Sequence, residues 1–285
     1  DRNDITDYSW SPDSRFVSYI KNNELGIGNI WIYAFGDRQS RQVTTELTNE
    51  QSPVFDPQGR YLYFLSSRDQ NLQFSSIEFN YMVTNSVRVY AAQLTADQPA
   101  LFRPKSDEVV QAGDADEGEN GDGDGDEGDI EVSIDYAGLE ARVVALQEQG
   151  GNYGNLVATA KGPAYVATRN GDSNIVMFDL KEEKEKTVLE GVGNFSVSGD
   201  GKKVLFSANG GLGIADLAPK QDASKGHLDL GNMELRVDPR VEWQQMYVDG
   251  WRILRDWFYD PNMHGQDWDA IRAKYAPLVD HVAHR

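Results

Sequence analysis

Three turns of one design recur along the chain: Ser11-Pro12-Asp13-Ser14-Arg15, Asp56-Pro57-Gln58-Gly59-Arg60 and Ser198-Gly199-Asp200-Gly201-Lys202. Each leads directly into a short apolar run. In such a turn the opening Ser or Asp bonds back to the backbone, Pro presets the second dihedral, and Gly accepts the left-handed conformation that starts the next strand. The runs that follow are Phe16-Val17-Ser18-Tyr19-Ile20, Tyr61-Leu62-Tyr63-Phe64-Leu65 and Lys203-Val204-Leu205-Phe206, and Ala164-Tyr165-Val166-Ala167 is a fourth after the degenerate turn Lys161-Gly162-Pro163. Gly, Pro and Asp bracket these runs too closely for helices, and their continuous apolarity suits strands covered on both faces.

A partner strand follows each run at a similar distance: Asn29-Ile30-Trp31-Ile32-Tyr33, Ser86-Val87-Arg88-Val89-Tyr90, Asn174-Ile175-Val176-Met177-Phe178 and Leu212-Gly213-Ile214. Pro12 and Pro57 stand 45 residues apart, within the ~40–50-residue period of four-stranded propeller blades. The fold class expected is mainly β, a partial β-propeller of about four blades. Four blades leave apolar sheet faces open at both ends of the arc, so a larger ring is the expectation. A β-sandwich of several hairpins is the alternative on pattern alone. Gly59 and Gly162 are separated by 103 residues, more than one period, which predicts an insertion at the junction of the second and third blades.

That insertion contains most of the chain's charge. Residues 107–131 hold twelve acidic side chains and no Lys or Arg, against a net charge of -19 for the whole chain. The stretch at about 107–129 alternates Gly with Asp or Glu and has too little apolar surface to offset its ordering entropy, so a disordered acidic loop is expected there. With 27 basic against 46 acidic residues, the chain offers no footprint for nucleic acid. No apolar run of about 18 residues or signal-peptide pattern is present, and no membrane partner is expected. The absence of cysteine excludes disulfides, thiol nucleophiles and zinc-thiolate sites. It suits cytoplasm or periplasm alike, and the cytoplasm is the working expectation.

From Asp238 the period changes. Asp238-Pro239 reads as a cap followed by a first-turn proline, and Trp243, Tyr247, Trp251, Leu254 and Phe258 fall on one helical face. Met246, Ile253 and Trp257 widen the stripe, which predicts a helix buried on much of its circumference and ended by Asp260-Pro261. A second helix is expected from Asp267-Trp268 to just before Pro277. The domain division expected is 1–236 for the blades and 237–285 for a helical segment, with Arg285 falling inside a helical pattern as in a piece of a longer protein.

The string Asp238-Pro239-Arg240-Val241-Glu242-Trp243-Gln244-Gln245-Met246, then Arg255-Asp256-Trp257-Phe258-Tyr259-Asp260-Pro261-Asn262-Met263-His264-Gly265 and Asp267-Trp268-Asp269-Ala270, resembles the tricorn-type serine peptidases. Pro53-Val54-Phe55-Asp56-Pro57 and Glu78-Phe79-Asn80-Tyr81 are similar to the same family's blade pattern. The resemblance implies later blades of a second propeller, a ring of seven, followed by the start of the first catalytic subdomain. It also implies a Ser-His pair and a nucleophilic serine beyond Arg285, oligopeptide substrates, PDZ-like and α/β peptidase domains in the parent chain, and a homo-oligomer when complete. The function it implies is a non-catalytic portion of a serine peptidase, with the propeller gating access. A non-enzymatic propeller scaffold for protein binding is the alternative.

The remaining chemistry-bearing residues give no site by themselves. Asn120, Asp122, Asp124, Gly125 and Glu131 have the spacing of a calcium loop, but a Gly/Asp repeat produces that spacing by accident and no helix pair flanks it. His281 and His284 could share a metal on one helix, with only Asp280 beside them, short of the three or four ligands zinc takes. His264 reads as a structural loop histidine without a carboxylate partner. Trp243, Trp251 and Phe258 read as core, and Arg68-Asp69 as a solvated loop tip. No catalytic, cofactor-binding or metal residue is assigned, and no cofactor is expected.

Overall fold

The computed structural model describes residues 5–45, 47–69, 72–75, 79–102, 130–208 and 210–284. The chain divides into two compact units, Asp1–Leu228 and Asp229–Arg285. The first is built of four antiparallel sheets that are four blades of a β-propeller. Blade one is β1 (Thr6–Trp10), β2 (Phe16–Asn22), β3 (Gly28–Ala34) and β4 (Gln39–Gln42), paired in that order. Blade two takes β5 (Glu50–Phe55) and β6 (Tyr61–Ser66), is interrupted by a separate hairpin of β7 (Leu72–Ser75) and β8 (Asn80–Val83), and is completed by β9 (Arg88–Gln93) and β10 (Val143–Ala145). Blade three is β11 (Asn152–Thr159), β12 (Gly162–Arg169), β13 (Asp172–Asp179) and β14 (Lys184–Leu189), and blade four has β15 (Phe195–Val197), β16 (Lys203–Ala208) and β17 (Gly211–Asp216).

The repeated turns fold as their residues dictate. Ser11 Oγ donates to Asp13 Oδ1 at 2.6 Å and accepts from the Phe16 amide at 2.9 Å, while Asp13 Oδ1 accepts from the Arg15 amide at 3.1 Å. Ser198, Asp200, Lys202 and Lys203 repeat these bonds at 2.6, 3.0 and 2.9 Å. The left-handed position holds Ser14 (φ 59°), Gly59 (φ 70°) and Gly201 (φ 69°), so only blade one carries a side chain there. Blade three replaces the five-residue turn with the two-residue link Ala160-Lys161, the tighter connection expected of a degenerate repeat.

The core lies between blades. Ile30, Ile32, Leu62, Phe64 and Leu94 fill the junction of blades one and two, Tyr63, Leu65, Tyr165, Val176 and Phe178 that of blades two and three, and Val166, Ile175, Met177, Val204 and Phe206 that of blades three and four. Each sheet is therefore buried on both faces only where it has a neighbour. On blade one, Tyr8 and Trp10 are exposed, and Trp10 stacks on exposed Phe35 at 5.3 Å; on blade four, Leu205, Leu212 and Ile214 are exposed.

The insertion sits elsewhere than the 103-residue spacing suggests. It enters within blade two, between β9 and β10, rather than at the junction of blades two and three. Its two described ends are anchored: Phe102 meets the Phe178 ring edge-on at 6.2 Å, and Val132 is fully buried in the core between blades one and two. Val132 is held by its own amide donating to Asp13 Oδ2 at 2.8 Å and by its carbonyl accepting from Arg15. A Cβ on Gly59 would lie 2.7 Å from Val132 Cγ2, so the strap closes tightly over a position where only glycine fits. The expected disordered segment at about 107–129 lies outside the described residues.

The second unit contains α1 (Pro239–Trp257) and α2 (Trp268–Val279). Asp238 caps α1 through the Arg240 amide at 3.0 Å, and Asp267 caps α2 through the Ala270 amide at 2.9 Å. Two expectations are corrected here. α1 is buried only at Trp251, with Met246, Ile253, Leu254 and Trp257 exposed, because α2 covers one face and the wider stripe has no partner among the described residues. α2 runs through Pro277 to Val279, since a proline in the last turn forfeits a single helical bond and need not end the helix before it.

Candidate functional site

The first strands of successive blades, β1, β5, β11 and β15, stand beside one another at the inner edge of the arc. Their pairing with the second strands shifts register between Thr6 and Ser9, between Gln51 and Val54, and between Gly154 and Val157. At each bulge a polar residue takes a left-handed conformation: Asp7 (φ 48°), Ser52 (φ 51°) and Asn155 (φ 47°). A bulge frees its residue from the ladder and re-aims it. Asp7 Oδ2 thereby accepts from the Ser52 amide at 3.0 Å, and Asn155 Nδ2 donates to the Phe195 carbonyl at 2.8 Å and to Asn194 Oδ1 at 3.1 Å. The inner edge thus carries a row of uncharged or acidic hydrogen-bonding groups, linked between blades one and two and between blades three and four.

A second site lies on the flank between blades two and three, where a cavity of about 660 Å³ is lined by Asn85, Gln147–Tyr153 and the outer part of blade three. Its polar floor is a chain of hydrogen bonds. Gln147 accepts from the Val89 amide at 2.8 Å and donates to Tyr165 Oη at 2.7 Å; Tyr165 donates to Glu185 Oε1 at 2.8 Å; and Glu185 Oε2 is paired with Arg169. Tyr153 meets the Tyr165 ring edge-on at 5.6 Å. Burial, reinforced by the Glu185 charge, pushes the Tyr165 phenol well above its ordinary range, so it serves as a fixed neutral donor. The hydrogen bond to Glu185 is the main effect raising Arg169, against a smaller burial effect, which keeps it a permanent cation.

The residues singled out in the sequence are not brought together. Of the calcium-like set, Asn120, Asp122, Asp124 and Gly125 lie outside the described residues, and Glu131 is paired with Arg15 at 2.8 Å. His281 and His284 follow the end of α2 at Val279, so they do not share a helical face, and among the described residues no group of three metal-ligating side chains occurs. His264 does have a carboxylate: its Nδ1 lies 3.1 Å from Asp260 Oδ2 and its Nε2 meets the Tyr259 hydroxyl, in a turn where Met263, His264 and Gly265 are all left-handed. Arg68 is no solvated tip. It donates to fully buried Glu50 at 2.9 Å, lies 3.5 Å from Glu140, and sits over the Phe64 and Tyr90 rings. Its neighbour Asp69 pairs with Arg88. Both the inner polar row and the flank cavity were missed, although the row had a signal: Asp7, Ser52, Asn155 and Asn194 each stand four residues before the residue that opens the following turn, Ser11, Asp56, Thr159 and Ser198.

Two family models match the chain, one described as the tricorn protease second beta propeller domain over residues 1–218 and one as the tricorn protease C1 domain over residues 239–285. Among curated proteins, Tricorn protease homolog 1 of Streptomyces coelicolor is 26% identical over 98% of this chain and 28% of its own length. The tricorn protease homolog of Saccharolobus solfataricus is 25% identical over 99% of this chain and 26% of its own length. A crystal structure of the tricorn protease superposes with a TM-score of 0.71 at 19% identity, covering 99% of this chain and 27% of that one. The chain spans about a quarter to a third of the length of the curated relatives it matches.

Proposed function

Because the chain belongs to the tricorn protease family, as part of its second β-propeller and the C1 domain that follows, we propose that it is the non-catalytic, substrate-admitting part of a serine peptidase that degrades oligopeptides. The observation that carries this reading is the inner polar row. Asp7, Ser52 and Asn155 lie on the strands at the inner edge of the arc and Asn194 directly precedes β15, and none of these four strands contains Lys or Arg. A narrow passage walled by such groups offers hydrogen bonds to an extended peptide backbone at every blade, while a folded protein has no free backbone to present and is too wide to enter. Size selection then precedes chemistry. The chemistry itself, serine attack assisted by histidine, is assigned to residues outside this sequence, with PDZ-like and α/β domains as the partners in the parent chain.

The test is to assay fluorogenic tri- and tetrapeptides beside a folded protein substrate, using the full-length protein and this chain alone. Turnover of the peptides by the full-length protein, sparing of the folded protein and no turnover by this chain are expected. Hydrolysis by this chain alone would overturn its non-catalytic assignment, and equal cleavage of the folded protein would overturn the gating. An inactive full-length protein would favour the scaffold reading, which one observation supports: the β7–β8 hairpin exposes Leu72, Phe74, Phe79, Tyr81 and Met82 together.

A further inference from the structure

The flank cavity between blades two and three has chemistry that the gating of an inner passage does not use, and we propose that it is a binding site for the free ends of short peptides, with Arg169 receiving the terminal carboxylate. At about 660 Å³ it falls in the size range of small-ligand sites. The guanidinium of Arg169 is held on one side by Glu185, while the side chain remains 54% exposed. Of its five N–H groups, Glu185 takes one on Nη2, which leaves the others to an incoming carboxylate. A guanidinium held in this way loses little freedom on binding and matches a carboxylate two oxygens at a time.

The support behind the fork is continuous. Glu185 is set by Tyr165, Tyr165 by Gln147, and Gln147 by the backbone of β9. A cation whose position is determined through three side chains and a main-chain amide is built more firmly than a solvated arginine on a strand end requires. Around it the lining is rich in groups that pair with amides: Asn85, Asn152, Asn170 and Gln149. Exposed Glu148 lines the same cavity and supplies an acceptor for an ammonium group. One fixed cation, one exposed carboxylate and several amides in one lining complement a zwitterion with peptide groups in its middle. A nucleotide or phosphorylated ligand is disfavoured, because Glu148, Glu183 and Glu185 outnumber Arg169 and Lys184 in the lining.

The experiment is calorimetric titration of this chain with trialanine, with its C-terminal amide and with its N-acetyl form. Saturable binding of trialanine is expected, weakened about tenfold by amidation, the consequence of removing a charged partner from a charge-assisted hydrogen bond. Arg169→Gln should weaken trialanine by a similar factor and leave the amide unchanged. Should that variant fail to fold, Glu148→Gln provides the second arm, since Glu148 is exposed: it should weaken trialanine and leave the N-acetyl form unchanged. Equal affinity for trialanine and its amide, or no saturable binding of trialanine, would overturn the proposal. Neither result touches the peptidase reading, which is tested by turnover in the full-length protein.

Discussion

Replacing Trp251 by alanine tests whether the second unit is organised by a single indole. Trp251 is only 8% exposed, and its Nε1 donates to the Trp268 carbonyl at 2.9 Å. Trp268 Nε1 returns the bond to the Trp251 carbonyl at 3.1 Å, so the two helices are clasped by a reciprocal pair. Arg255 and Arg272 each stand 4.9 Å from the Trp251 ring, one on each helix. Truncating a large buried aromatic costs about 3–5 kcal/mol. Trp251→Phe, which retains most of the ring and loses the N–H, should cost closer to about 1 kcal/mol. Trp257→Ala lies on the same helix at 74% exposure and should shift stability by no more than about 0.5 kcal/mol. Amide exchange across α1 with increasing denaturant reads these differences directly, because local opening of this unit is seen whether or not the blades unfold. A loss from Trp257→Ala equal to that from Trp251→Ala, or a loss under about 0.5 kcal/mol from the latter, would refute the argument.

Two further outcomes follow from bonds in the blades. Burial pushes the Asp13 carboxyl up, but hydrogen bonds from Ser11 Oγ, the Val132 and Arg15 amides and the Arg15 guanidinium together hold it below its ordinary value. Its contribution is therefore complete above the unfolded carboxylate value of about 3.9 and fades as pH falls through the lower folded value. The melting-temperature gap between the protein and Asp13→Asn should shrink as pH drops below about 4, and a gap that widens there would contradict the sign. At the inner edge, Asn155→Ala should cost about 2 kcal/mol, the sum of left-handed strain and a lost cross-blade bond, whereas Asn155→Gly recovers the strain. Chemical denaturation that ranks glycine below alanine would show that the bulge does not set this energy.

The second strands of blades two and three were legible because burial on both faces leaves a run of apolar residues in the sequence, as in Tyr61–Ser66, where every residue is buried. The first strands were not, because the bulge breaks their alternation and Asp7, Ser52 and Asn155 read as loop residues. The insertion was misplaced because β10 is only Val143–Ala145, too short to show a period of its own. Arg68 was misread since Glu50 on β5 and Glu140 just before β10, far from it in sequence, meet it only when blade two forms. The stripe on α1 was legible as a stripe, but periodicity reports that a face is apolar and says nothing about what covers it. The flank cavity left no trace in local pattern, because Gln147, Tyr165 and Glu185 acquire their roles from pairing across strands.

The position of the three apolar clusters has a consequence for how such a molecule is inherited and how it comes apart. Duplication copies a blade, a run of strands contiguous in sequence, yet each cluster draws its side chains from two adjacent blades. The unit that is copied and the unit that cooperates are therefore offset by half a period. A change to one side of a sheet in one copy must be answered in its neighbour, so adjacent repeats diverge as matched surfaces while turn chemistry is kept. Pulled from its ends, such an arc should yield in steps that each release one seam, with every step leaving a whole sheet newly bared on one side.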